Sequence, residues 1–211
     1  VRMMAVELLL CDIDPTICEL AAAAIRHSRL HTMRAQNVPL AAATCCEAVV
    51  HAGNSAAVVS SGQDIAFLEL FGPSYQHTLQ DSVRSLFCDA LQPVGTALLV
   101  PVDHPTIAFV VHAPCFPQQP KGAYEALSAA LKAVHRYNVE HGEMRVRGLA
   151  CAAMGAYRGC SSQHSASVIE EMVTAYQDYL STPTCAYSAA DSSSGENSSA
   201  GTASQARELC S

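Results

Sequence analysis

Residues 51–64 read HAGNSAAVVSSGQD. The apolar run EAVVHA (47–52) leads into this stretch and has the length of a buried strand. Asp64 can cap a helix that runs to Phe71, where Gly72 stops it. The unit is therefore strand, small-residue loop, helix. A second unit of the same kind lies near the other end: strand VRGLACA (146–152), loop AAMGAYRGCSS (152–162), then a helix to about residue 180. Small residues let backbone N–H groups approach a phosphate, and a helix N-terminus adds favourable partial charge. In open α/β sheets such loops, at the carboxyl ends of strands, are where ligands bind.

Working outward, VELLLC (6–11) is a continuous apolar run and a strand. Asp14 followed by Pro15 is an N-cap and an N1 proline, opening an Ala-rich helix to about Ser28. LHTMRAQ (30–36) alternates and reads as a second strand. Pro73 starts a helix to about Phe87. GTALLVP (95–101) and TIAFVVHAP (106–114) are β-branched runs joined by a turn at Asp103-His104-Pro105. Ala123, Ala126, Leu127, Ala130, Leu131 and Val134 fall at helical spacing. Six strands interleaved with about five helices predict a three-layer α/β/α sandwich around a six-stranded, mostly parallel (mixed) sheet. The Ser- and Ala-rich residues 181–211 read as a flexible tail to a domain of residues 1–180.

The 211 residues are half apolar and 15% charged, which excludes a wholly disordered chain. No run of eighteen apolar residues predicts a membrane span, and the N-terminus lacks the pattern of a signal peptide. A net charge of −7 argues against nucleic acid. The ten cysteines form no zinc-type CxxC pair. Cys11, Cys45, Cys46 and Cys151 sit in runs read as strands, so free thiols in a reducing, intracellular compartment, the cytoplasm, are expected. His104, His112, His135 and His141 have no metal-ligand spacing, and no metal or cofactor is expected. His112, after an apolar strand, reads as a hydrogen-bonded structural histidine.

The ordered set of motifs resembles the macro domain, an ADP-ribose-binding module. HAGN (51–54), SSGQD (60–64), VVHAP (110–114) and CAAMGAYRG (151–159) follow the family's NAAN, GGGVD, strand-to-Gly-Pro and second-loop landmarks. AGNS, SGQD, VPVDHP and HAP align with a divergent macro-like branch that carries an extra strand and helix at its start, here residues 6–28. The resemblance covers about residues 6–180. It implies ADP-ribose or a related nucleotide as ligand, and an ADP-ribosylated protein as a partner. Asn54 matches the asparagine that holds the distal ribose, with Gly53 beside it, and Gly62 matches a loop glycine near that ribose. Gly155, Ala156 and Tyr157 match the loop that cradles the diphosphate. Asn37, with Val38, stands where the adenine-contacting acid sits. Asp64 matches the acid of the GGVD element. As the only acid of the first loop it is the candidate general base of an ADP-ribosyl hydrolase, with Asn54 positioning the ribose.

His51 replaces the usual first Asn, and Ser60 and Ser61 replace loop glycines, so weak or absent hydrolysis is expected. Two other readings stay open. One is a macro-shaped interaction module without a ligand. The other rests on LLLCDIDPT (8–16), which resembles the opening of haloacid-dehalogenase-like phosphatases, with Asp12 as nucleophile, Asp14 as general acid and Mg²⁺ between carboxylate and phosphate.

Overall fold

Alternation within each strand decides which side chains meet which helices. In β1 (Glu7–Cys11), Leu8 and Leu10 point to one face and Leu9 and Cys11 to the other. The same split runs through β3 (Ala48–His51), β5 (Phe109–His112) and β6 (Gly148–Cys151). All these strands are apolar on both faces, as a sheet covered by helices on both sides requires. β2 (Met33–Gln36) and β4 (Leu98–Pro101) are the less buried edges. The computed structural model describes residues 5–60, 62–88, 91–116, 121–141, 145–156 and 160–182. The expected tail from residue 183 onward lies outside them.

The six strands follow the order β2-β1-β6-β3-β5-β4. Every pair is parallel except β4 with β5. Helices α1 (Pro15–His27), α4 (Gly122–Glu140) and α5 (Ser162–Ser181) cover one face, and α2 (Gln63–Phe71) and α3 (Tyr75–Phe87) cover the other. This is the expected mixed α/β/α sandwich. A short 3₁₀ turn, Leu40–Ala42, was not foreseen; Leu40 and Ala43 bury against the α2/α3 side.

The start of α1 forms as read. Asp14 is its N-cap and accepts from Thr16 N at 2.9 Å. α2 differs. Its cap is Gly62 at φ +60°, and Asp64 lies inside the first turn, because the carboxylate is drawn toward the sheet instead of back onto the helix. The cysteines differ in part as well. Cys11 and Cys151 lie in strands, but Cys46 precedes β3 and Cys45 is exposed on the turn before it. The strand starts one residue into its apolar run; the carboxylate of Glu47, just before it, accepts from Gly148 N and Arg147 N. Seven described cysteines are free thiols, whereas Cys88 is disulfide-bonded, which departs from the all-thiol expectation. Among the described residues no helix is long and apolar enough to cross a membrane.

Tyr176 locks α5 to the amino edge of the sheet. It is fully buried, and its hydroxyl lies 2.7 Å from Val6 O and 2.8 Å from Thr32 Oγ1. Burial pushes this phenol up to about 12. Tyr176→Phe is expected to cost about 1–3 kcal/mol, because the Val6 carbonyl then stays buried without a donor. Urea denaturation measures this; an unchanged midpoint contradicts it.

Candidate functional site

The carboxyl ends of β1, β6, β3 and β5 lie at one edge of the sheet, because these strands are parallel neighbours. From that edge the chain after β3 goes to the α2/α3 face. The chain after β6 goes to α5 on the opposite face, and those after β5 and β1 lead likewise to α4 and α1. Adjacent strands whose connections part to opposite faces leave a crevice between them. Here the connections part on both sides of β3, from β6 and from β5, and the two small-residue loops flank the β6/β3 side.

The first loop is shaped by its own polar groups. Asn54 Oδ1 accepts from Ala56 N and Val58 N at 3.1 and 3.2 Å, and Asn54 Nδ2 donates to Val58 O at 2.8 Å. The Asn54 amide therefore organises the turn. Ser55 N and Oγ both donate to Phe116 O, which ties the loop to the chain beyond β5. Gln76 of α3 accepts from Val59 N. Gly62 needs the left-handed region, φ +60°, which a glycine enters without strain. Ser61 lies outside the described residues.

Beneath this loop is a buried polar network that sequence reasoning missed. His51 and His112 are register partners at the ends of β3 and β5, on the α2/α3 face, with ring centroids 5.3 Å apart. His51 Nε2 lies 2.9 Å from Asp64 Oδ1 and Nδ1 lies 2.8 Å from Tyr75 Oη. A carboxylate only accepts, so Nε2 carries a hydrogen, and Nδ1 pairs with the Tyr75 hydroxyl. Burial, with the Asp64 charge adding to it, raises the Tyr75 pKa and keeps that hydroxyl protonated. Phe67 stacks on the His51 ring at 4.5 Å. Asp64 Oδ2 accepts from Ser60 N at 3.2 Å, so both carboxylate oxygens are engaged.

His112 is wholly buried. Its Nδ1 lies 2.7 Å from Gln92 Oε1, an acceptor, so Nδ1 carries the hydrogen. Gln92 Nε2 donates to the His112 carbonyl, and Gln92 N donates to Ser55 O. Burial, reinforced by the neighbouring His51, lowers the His112 imidazole to about 3, so the ring is neutral. Its Nε2 has no hydrogen-bond partner among the described residues. His112 is a hydrogen-bonded structural histidine at one nitrogen only. No spacing rule could have joined His51, Asp64, Tyr75, Gln92 and His112. Only the parity of strand positions 49, 51, 110 and 112 hinted that both rings share a face.

The far end of the crevice gathers the remaining predicted residues. Asn37, exposed just past β2, donates through Nδ2 to Asp12 O at 3.0 Å, and Val38 follows it half-buried. The Asp12 carboxylate accepts from Asp14 N at 2.9 Å. Burial raises its pKa, opposed by hydrogen bonds from the backbone of Asp14, Ile13 and Ala153. Both acids of the DxD motif thus hold backbone: Asp12 joins α1 to the second loop, and Asp14 caps α1.

In the second loop, Gly155 has φ +91° and Ala156 N donates to Ala153 O. His164 Nε2 donates to Gly155 O at 3.1 Å. Tyr157 lies outside the described residues. Behind Met154 and Gly155 is a cleft of about 320 Å³, bordered by Lys121, His164, Ser167 and Glu171. Among the described residues, no group of three or more His, Cys, Asp or Glu is arranged to hold a metal ion.

Among solved structures, the chain is similar to several macrodomains. That of Mycobacterium tuberculosis DarG is 16% identical, with a TM-score of 0.47, over 63% of this chain and 82% of that one. The Oceanobacillus iheyensis macrodomain is 16% identical at 0.48, over 65% and 72%. The Trypanosoma brucei macrodomain is 17% identical at 0.48, over 67% and 54%. The fold resembles a macrodomain. No family model and no curated protein matches the sequence. The macrodomain likeness concerns the fold; the site rests on this chain's own residues.

Proposed function

We propose that the chain binds ADP-ribose or a related nucleotide across the crevice. One observation carries this reading: two loops of small residues leave neighbouring parallel strands, β3 and β6, at the sheet edge where their connections part. The adenine end lies near Asn37 and Val38, the diphosphate on backbone N–H groups of both loops, and the distal ribose beside Gly53, Asn54 and Gly62. The motif order HAGN, SSGQD, VVHAP and CAAMGAYRG supports the same assignment. An ADP-ribosylated protein would present the same group.

Hydrolysis on this reading is weak or absent. A general base must accept a proton from water, yet Asp64 already takes His51 on one oxygen and Ser60 N–H on the other. Its side chain is only 16% exposed. The structural work of Asp12 and Asp14 speaks against the phosphatase reading, since neither carboxyl is disposed as a free nucleophile or acid.

Calorimetry with ADP-ribose tests the proposal. Micromolar affinity, about −8 kcal/mol, is the expected result. No heat at millimolar ligand from folded protein favours an interaction module without a ligand. In a de-ADP-ribosylation assay, robust turnover lost in Asp64→Ala would show that Asp64 leaves His51 to act as a base.

A further inference from the structure

His51 Nε2 and His112 Nε2 converge on one point. A Cβ on Gly53 would lie 3.3 Å from the first and 2.9 Å from the second. Only a glycine leaves the space between the two ring edges open. One of these nitrogens carries a hydrogen and gives it to Asp64 Oδ1. The other carries a lone pair that takes no hydrogen bond among the described residues, on a side chain with 0% exposure. A buried acceptor left unmade is costly, and each one in a native fold calls for an explanation.

We propose that His112 Nε2 is the second acceptor for the His51 Nε2 hydrogen, so that the Asp64 carboxylate can leave His51 for a ligand hydroxyl without stranding a buried donor. The rings stand edge to face at an interplanar angle of 64°, and a tilt of His51 about its Tyr75 hydrogen bond turns Nε2–H from Asp64 toward His112. His112 is held for this by Gln92, which fixes its Nδ1–H and leaves Nε2 bare. Burial keeps the ring neutral, so the lone pair stays available. Covalent bonds do not change; one hydrogen bond replaces another. His112 thereby acts as a positioning residue: it makes release of Asp64 inexpensive. Asp64, once released, suits a vicinal diol such as a ribose presents. That last step rests on the nucleotide reading above; the exchange between acceptors does not.

The test needs no ligand. In Asp64→Ser the short side chain cannot reach His51. With ¹⁵N-labelled histidine, His112 Nε2 should shift in this variant from a bare nitrogen toward a hydrogen-bond acceptor, while His51 Nε2 stays protonated. Asp64→Ala should do the same. The loss in melting temperature on removing Asp64 should be larger in a His112→Phe background than in the wild type, because the second acceptor is gone. An unshifted His112 Nε2 in the Asp64 variants, or equal losses in the two backgrounds, overturns the proposal. With saturating ADP-ribose the wild type should show the same His112 shift, and His112→Phe should bind about tenfold more weakly. If ADP-ribose gives no heat and no shift, the nucleotide reading fails, while the Asp64 variants still decide the exchange.

Discussion

His112 is expected to make the protein less stable as pH falls from 6.5 toward about 3. Its imidazole titrates ordinarily at 6.5 in the unfolded chain and at about 3 in the fold. The folded-state value is depressed. The stabilisation is therefore fully present above pH 6.5 and is lost as pH falls toward the folded value, because the unfolded chain takes up a proton that the native ring refuses. One proton of difference changes stability by about 1.4 kcal/mol per pH unit, so about 2 kcal/mol is lost by pH 5. The cause is burial first, since the ring is sealed between the sheet and the α2/α3 layer, and then the neighbouring His51. Urea denaturation at pH 7, 6 and 5 measures the slope. His112→Gln should remove about one proton's worth of it, because a glutamine does not titrate. Identical slopes in the two proteins would assign the acid sensitivity elsewhere.

Gly53→Val is expected to be the most damaging single change in the first loop. A Cβ there would meet His112 Nε2 at 2.9 Å, His51 Nε2 at 3.3 Å and His112 Cδ2 at 3.4 Å. A Cβ at these distances would force the two rings apart, against the contacts that hold them. His51 is held by Tyr75, Asp64 and the Phe67 face, and His112 by Gln92. Overpacking of this kind costs about 1–3 kcal/mol, and a branched side chain lies at the upper end. The displaced rings also shift the loop that Ser60 N anchors on Asp64 and take the second acceptor out of reach of His51, so ADP-ribose binding should be lost. Gly62 provides the contrast. A Cβ on it meets nothing within 4 Å, and only its φ of +60° opposes substitution. Gly62→Ala should therefore cost about 1–3 kcal/mol from backbone strain alone, with no displacement of the rings. Chemical denaturation of both variants checks the ranking. Equal stability of Gly53→Val and the wild type would mean that the rings can move apart freely.

Much of the architecture was legible because it is written in local patterns. β1, β3, β5 and β6 are continuous apolar runs, and helices covering both faces of a sheet make strands read that way. Asp14-Pro15 announced α1, and the small residues of 51–64 and 152–162 announced the two loops. Less was legible where a residue has a second task. Asp64 looks like an N-cap in the sequence, yet its carboxylate reaches a histidine thirteen residues back. Asn54 looks like a ligand residue in the sequence, yet its amide is taken up by Ala56 and Val58 in organising the turn.

Element types, their order and the positions of the two small-residue loops are encoded locally, because strand alternation, helix caps and glycine freedom act over a few residues. The tertiary structure alone decided the pairing of His51 with Asp64 and Tyr75, and of His112 with Gln92, across separations of 13 to 24 residues. It also left one buried imidazole nitrogen beside Gly53 without a partner among the described residues. Those outcomes depend on which strands become neighbours. Parallel β3 and β5 bring the two rings together in register, and no local pattern encodes that meeting.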